Sequence, residues 1–587
     1  MMRRLMALGL VIACVLASSA LADDAKFSGE LRKWHRVTLT FDGPSTSETA
    51  DSNPFLNYRL TVTFSGPGDA TFRVPGYFAA DGDAADSGAD SGNKWRVHFT
   101  PNRTGRWRWT ASFRTGSKVA LSTDPDAGKP AAFDGARGEF TVKSSQKKGR
   151  DFRARGRLNY VGRRYLQFAE TGEYYLKGGA DSPENFLAYY EFDQTPDTHH
   201  YKPHAKHFRS GDPTWDGGKG KNIVGALNYL AGKGMNSVYA LTMNVKGDGK
   251  DVWPWTSRDE RFRFDCSKLA QWEIVFSHME HSGLLLHAIT QETENDQLLD
   301  GGALGPERKL YYRELIARFG HHLGLVWNLG EENTNTDKQR KQFARYIRGL
   351  DPYDHPMVVH TYPPQKDKVY KPLLGFPMLE GPSLQMGNMT KTHSETIKWL
   401  DRSAETEKQW VVCLDEIGPA HTGVKPDKDD PDHDKVRKEP LWGNLMAGGG
   451  GCEWYFGYKF AHNDLNCEDW TSRANMWDQT RYALEFFHTH LPYPEMHHAD
   501  GLTDAKNDYC FARPGEVYAV YLPEGGTTKL DLGKSKGTFS VRWYDPRNGG
   551  KLQQGSVKSI KGPGKKTLGK APRHADEDWA VLVKRAN

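Results

Sequence analysis

At 587 residues the chain is too long for one hydrophobic core and suits about three domains of roughly 100–200 residues each. A formal net charge of +5, 26% charged residues and a mean hydropathy of −0.71 make it polar in character. So small a charge on so long a chain gives no electrostatic argument for nucleic acid or a membrane surface as partner.

The single long apolar run is N-terminal. Arg3 and Arg4 precede apolar residues 5–17, and Ala20-Leu21-Ala22 is a small-x-small cleavage site. Residues 1–22 therefore read as a signal peptide cut after Ala22, which implies a secreted or periplasmic location. The alternative, a lipoprotein box ending at Cys14, suffers from a short preceding apolar stretch and from apolar residues continuing past it. Five cysteines remain: Cys266, Cys413, Cys452, Cys467 and Cys510. Cys452 and Cys467 could bridge the ends of one loop, and an odd count leaves at least one thiol unpaired.

Residues 23–145 alternate apolar and polar positions in short runs at 58–64, 94–99 and 105–113, with turn clusters at 65–69 and 81–92. That pattern predicts a β-sandwich. A polar, basic linker follows at 144–150. From 150 to 498 short apolar runs alternate with segments of helical periodicity, the mark of repeated β–α units. Eight strands are expected at 174–177, 237–241, 283–287, 323–328, 357–360, 377–380, 409–414 and 452–456, which together predict a (β/α)8 TIM barrel. A doubly wound sheet fits less well, because no Gly-rich phosphate turn follows the first strand. Residues 499–587 return to short strands at 517–521, 538–544 and 579–583, around a strong turn at 545–550, and predict a second β-sandwich.

Active sites of such barrels lie at the C-terminal ends of the strands. Glu331 and Glu332 follow the fourth strand; Asp415 and Glu416 follow the seventh. Glycosidic cleavage needs an acid for the leaving oxygen and a second carboxylate, which acts as nucleophile when the two stand about 5–5.5 Å apart. The plain alternative makes Glu331 and Glu332 the start of a helix, though Asn333 and Thr334 are better caps. Successive strand residues face opposite ways, so only one of Asp415 and Glu416 is expected in the mouth.

Trp327-Asn-Leu-Gly-Glu-Glu-Asn333 resembles the Trp-x-x-x-Asn-Glu-Pro acid/base motif of the clan of retaining TIM-barrel glycosidases that includes cellulases and mannanases. Asp415-Glu-Ile-Gly418 resembles that clan's Gly-Glu-Phe-Gly nucleophile motif, and His360-Thr-Tyr362 its His-x-Tyr element. The resemblance implies Glu332 as acid/base, Glu416 as nucleophile, His360 and Tyr362 in the site, and Trp454 as a stacking tryptophan. Two departures stand out. Glu331 occupies the place of the clan's asparagine, and His360-Thr-Tyr362 follows the fifth strand rather than the sixth. The chain as a whole resembles secreted bacterial proteins with an uncharacterised N-terminal sandwich, an apiosidase-like or cellulase-like barrel and a collagen-binding-like C-terminal sandwich. Segments 177–187, 453–458, 464–470 and 542–549 carry that likeness.

Further candidates for contact with a carbohydrate are Asp181, Glu184 and Asn185 after the first strand, although Ser182-Pro183-Glu184 also suits an ordinary helix start. Glu292 with Gln291 and Glu294 follows the third strand, Asn328 and Glu331 belong to the fourth, and Gln385 to the sixth. Trp253, Trp255, Trp454 and Tyr455 offer flat faces for sugar rings or, more plainly, packing under long loops. His199, His200, His204 and His207 share a loop, but no second ligand cluster or HExxH motif supports a metal. Acidic residues 429–434 lack the loop glycine of an EF-hand and read as a solvated loop. The expectation is a retaining glycoside hydrolase without cofactor or metal, acting on a plant or algal polysaccharide; its oligomeric state is not readable. The alternatives are a noncatalytic binder with a decayed barrel and, from the tail's likeness alone, a collagenolytic peptidase.

Overall fold

The structure is a computed structural model that describes residues 25–586, so the signal-peptide expectation lies outside the described residues. The N-terminal part is two antiparallel sheets. One orders Lys26–Ser28, Val37–Ser47, Ser91–Phe99 and Tyr77–Phe78; the other orders Thr71–Pro75, Tyr58–Ser65, Gly105–Thr115 and Lys129–Pro130, with Arg137–Val142 also on Gly105–Thr115. Gly105–Thr115 shows why they pack. Trp107, Trp109, Ala111 and Phe113 are buried while Arg106, Arg108 and Thr110 face water, the two-residue period of a half-buried strand. Rings from both sheets meet inside, as Phe64 stacks on Phe99 at 4.1 Å and Phe41 meets Trp109 edge-on at 5.6 Å.

The centre is a closed parallel barrel of eight strands: β1 (Lys177–Ala180), β2 (Ser237–Leu241), β3 (Leu285–Ile289), β4 (Leu325–Asn328), β5 (Met357–His360), β6 (Gly381–Met386), β7 (Cys413–Ile417) and β8 (Gly451–Trp454). β1 closes on β8 in register from Lys177 opposite Gly451 to Ala180 opposite Trp454. A helix follows every strand: α1 (Lys221–Gly232), α2 (Cys266–Ser282), α3 (Pro306–Phe319), α4 (Asp337–Leu350), α5 (Lys366–Tyr370), α6 (Thr392–Ala404), α7 (Trp442–Ala447) and α8 (Ala474–His490). Local chemistry sets their ends. The Asp265 side chain caps α2 on Lys268 N at 2.8 Å, and Gly283 at φ 72° stops it. Thr336 and Gln339 form a capping box at α4.

The barrel is as expected, with three strands displaced: β1 begins at Lys177, where the expected strand 174–177 ends, and β6 and β7 also lie further along the chain. β6 was expected at 377–380; instead all six residues of Gly381–Met386 are buried and paired, with Pro382 inside the strand. Glu380 instead sits below β6 and accepts Met357 N at 2.7 Å. β7 begins at Cys413 rather than 409, so Asp415 and Glu416 lie within the strand. Cys452 and Cys467 are free thiols; Cys452 Sγ is directed at the Pro440 carbonyl, 3.9 Å away, on the outer side of β8.

The C-terminal part is a six-stranded sheet ordered His497–His498, Tyr509–Arg513, Val517–Leu522, Trp579–Arg585, Thr538–Tyr544 and Ser559–Lys561, with a second pair, Lys529–Asp531 and Lys565–Thr567. It meets the barrel where Tyr521 stacks on Trp442 at 4.7 Å and Arg437 grips Asp578 at 2.8 and 2.9 Å. On the opposite flank the N-terminal sheets bind the barrel helices. Cys266 N donates to Glu48 Oε1 at 2.6 Å, Arg313 to the Leu60 carbonyl at 2.8 Å and Arg318 to the Phe78 carbonyl at 3.1 Å.

Candidate active site

The barrel interior carries a buried polar layer beneath the mouth. Lys177 Nζ donates to Asp415 Oδ1 at 2.9 Å and to Glu453 Oε2 at 3.1 Å. Glu453 also accepts from Ser237 Oγ and pairs with His287 Nδ1 at 2.8 Å. Burial pushes Glu453 up, but Lys177 and His287 outweigh it and hold the carboxyl at about 2. Asn328 Nδ2 donates to His287 Nε2 at 3.2 Å, and its Oδ1 accepts Gly330 N. Asn328 thus braces the end of β4 from a fully buried position and is corrected from substrate contact to scaffold.

Above this layer the carboxylates converge. The ladder between β6 and β7 shifts so that Leu384 faces Leu414 while Gln385 faces Glu416, leaving Asp415 as an extra residue. The bulge turns both acids inward, against the alternation of strand faces, although only Glu416 lies in the mouth and Asp415 joins the layer beneath it. Asp415 reaches down to Lys177, and Glu416 Oε2 lies 3.2 Å from His360 Nε2. Against the downward push of burial, Glu416 raises His360 above its ordinary value, so its protonated form is favoured. Nδ1 of His360 is 3.2 Å from Tyr239 Oη, which donates to Glu331 Oε2 at 2.9 Å.

The turn after β4 has its own device. Glu332 adopts φ 43°, a left-handed conformation costing a residue with a Cβ roughly 1–2 kcal/mol. Glu331 there engages Tyr239, while Glu332 Oε1 accepts from Gln385 Nε2 at 2.7 Å across to β6. Burial and then the charge of Glu416 push Glu332 up to about 7, against the opposing pull of His360, Gln385 and Tyr362. Burial, then Glu416 and Glu332, raise Glu331 well above the carboxylate range. Glu331, His360 and Glu416 each offer an atom within 4.8 Å of the others, so carboxylates of β4 and β7 meet across the mouth.

Around them, Asp181, Glu184 and Asp464 form a second acidic wall, with oxygens within 4.8 Å of one another. Glu292 is pushed to about 10 by burial and then by Glu331 and Glu294, and accepts from Asn295 at 2.8 Å. Tyr455 Oη donates to the Ala420 carbonyl at 3.1 Å, and its ring meets Tyr458 edge-on at 6.1 Å.

Three other candidates lie elsewhere. Trp454 is 0% exposed on the outer side of β8 and donates to Thr480 Oγ1 of α8 at 2.8 Å, so it offers no face to a sugar. Asn185 is buried and donates to Asp251 Oδ2 at 3.0 Å, bracing loops. Trp255 packs on Tyr311 in the core. The histidine loop is tied to the loop after β8: His204 Nε2 accepts Trp470 N at 3.0 Å, and Glu468 accepts His200 N. Sequence reasoning missed Asp464 and Tyr239. Tyr239 had a signal, an inward place two residues before Leu241 in β2; Asp464 lies 280 residues from Glu184 and had none.

The fold and site define a TIM barrel with an acidic mouth, flanked by β-sheet domains. Residues 30–114 match a domain of unknown function, DUF5060, and residues 494–584 match the family described as "Putative collagen-binding domain of a collagenase". A search of curated proteins gives no match. Among solved structures the fold is similar to that of a putative glycoside hydrolase from Bacteroides vulgatus, with TM-score 0.63 and 14% identity over 94% of this chain and 99% of that one. It is also similar to a glycoside hydrolase family 5 protein from the same organism, with TM-score 0.53 and 14% identity over 75% and 96% of the two chains.

Proposed function

We propose that the protein is a secreted, retaining O-glycoside hydrolase acting on a plant or algal polysaccharide or oligosaccharide. Glu416 attacks the anomeric carbon while Glu332 protonates the leaving oxygen, and Glu332 then serves as base for the water that releases the sugar. The observation that carries this reading is that Gln385, the residue opposite Glu416 in the β6–β7 ladder, donates to Glu332 Oε1 at 2.7 Å and so ties both carboxyls to one mouth, where burial and the charge of Glu416 push Glu332 up to about 7. Supporting it, His360 and Tyr239 orient the mouth around Glu416 and Glu331, and the two solved structures of the same fold are named as glycoside hydrolases. Export rests on the N-terminal residues 1–22.

The test is a screen of aryl glycosides and algal oligosaccharides, with proton NMR of the first anomer released. Hydrolysis with retained configuration is expected, lost by about 10³-fold or more in Glu416→Ala. Glu332→Gln is expected to slow substrates with poor leaving groups most, and Glu331→Gln to show no such bias. An inverted product refutes the double displacement. Equal inactivity of wild type and Glu416→Ala across the screen favours a noncatalytic binder.

A further inference from the structure

The wall formed by Asp181, Glu184 and Asp464 differs from the pair proposed for hydrolysis. Asp181 directly follows β1, Glu184 lies three residues on, and Asp464 comes from the loop after β8. The two loops are tied by bonds between side chains and backbone: Glu184 N donates to Asp464 Oδ1 at 3.2 Å, Phe456 N to Ser182 Oγ at 2.9 Å, and Trp470 Nε1 to the Ser182 carbonyl at 2.9 Å. Asp181 is 1% exposed, and neither of its carboxylate oxygens has a hydrogen-bond partner. A buried carboxylate left so is costly unless a proton or a cation answers it. The charges acting most strongly on Asp181 are all carboxylates: Glu416, Asp464, Glu331 and Glu453.

We propose that Asp181, Glu184 and Asp464 hold a divalent cation, calcium by its chemistry, in the wall of the barrel mouth. Three oxygens within 4.8 Å of one another fit around one ion with bonds of about 2.3–2.6 Å, since two ligands on opposite sides of it stand roughly 4.6–5.2 Å apart. An all-oxygen set from flexible carboxylates suits calcium, whereas zinc draws nitrogen and sulfur, and magnesium demands a tighter octahedron. The ion would clamp the loop after β1 to the loop after β8. Water and the substrate's own hydroxyls would complete its shell.

The protein is stripped with EDTA, desalted and titrated with calcium chloride, and separately with magnesium chloride, by isothermal calorimetry, with thermal unfolding in parallel. One saturable calcium site is expected, at least tenfold tighter than for magnesium, together with a rise in Tm. Asp181→Asn and Asp464→Asn each weaken calcium at least tenfold, while Glu332→Gln binds as wild type; the last variant separates failure of the cation site from failure of the hydrolase reading. No saturable binding to wild type overturns the proposal, because protons or sugar hydroxyls then answer Asp181. So does magnesium binding as tightly as calcium. Loss of binding in Glu416→Gln with Asp464→Asn unaffected also overturns it, by moving the ion to Glu331, His360 and Glu416. If the asparagine variants fail to fold by circular dichroism, terbium luminescence of the wild type decides: calcium must displace a terbium signal sensitised by Tyr455 and Trp470.

Discussion

The bond from Gln385 to Glu332 gives the sharpest handle on the proposed acid. Gln385→Leu removes a donor 2.7 Å from Glu332 Oε1 and puts an apolar group in its place. A hydrogen bond to a charged group is worth about 1.5–3 kcal/mol, and one pKa unit is about 1.36 kcal/mol, which bounds the change at roughly one to two units. Glu332 is half-buried, so solvent takes back part of the bond and the lower bound applies. The lost bond had favoured the carboxylate, and the added apolar surface disfavours it, so both effects raise the pKa. Glu332 should move from about 7 to roughly one unit higher. The basic limb of the pH profile of kcat/KM reports this ionisation in the free enzyme. A carbon-13 NMR titration of the Glu332 carboxyl, assigned with Glu332→Gln, reports it without any substrate. A limb that stays in place or moves to lower pH would refute the assignment of the acid and the role given to Gln385.

Three further outcomes follow from the same geometry. Lys177→Met leaves Asp415 and Glu453 buried without their cation, and should destabilise the fold by about 3–5 kcal/mol in denaturant titration, whereas a loss below about 1 kcal/mol would mean the layer is hydrated. Trp454→Phe should lose about 1–3 kcal/mol with its bond to Thr480 yet leave KM unchanged; a selective rise in KM would restore the stacking role. Burial and then Asp265 raise Glu48 from 4.5 to about 8, so its contribution to stability is fully present below pH 4.5 and is lost as pH rises through about 8. Glu48→Gln, which keeps an acceptor for Cys266 N, should flatten that fall in denaturation curves measured between pH 5 and 9.

The barrel was legible because buried parallel strands and amphipathic helices repeat with a regular spacing, and chemistry then had to lie at the strand ends. That reasoning put Glu332 and Glu416 at the barrel mouth, where both side chains lie. What stayed hidden was hidden for physical reasons. Pro382 lacks a ladder N–H and so is out of character for a central strand such as β6. The bulge at Asp415 and the positive φ of Glu332 each break the alternation that sequence reading assumes, and both do so at the mouth. Trp454 was placed by analogy, but the period of two sends it outward with Cys452 once Glu453 faces Lys177. Asp464 meets Asp181 only through closure of the first strand on the last, which no local pattern encodes.

The bonds from the N-terminal sheets to α2 and α3 bear on how this chain can be cut. Arg313 and Arg318 spend donors on carbonyls of Tyr58–Ser65 and Tyr77–Phe78, and Cys266 N at the start of α2 depends on Glu48. A truncation beginning at the linker would strand those groups and strip from Arg318 the Tyr77 ring that now covers its guanidinium at 4.2 Å. The first hundred residues of the folded chain therefore act as an outer lining of the barrel, and shortened versions prepared for crystallography or display should keep them.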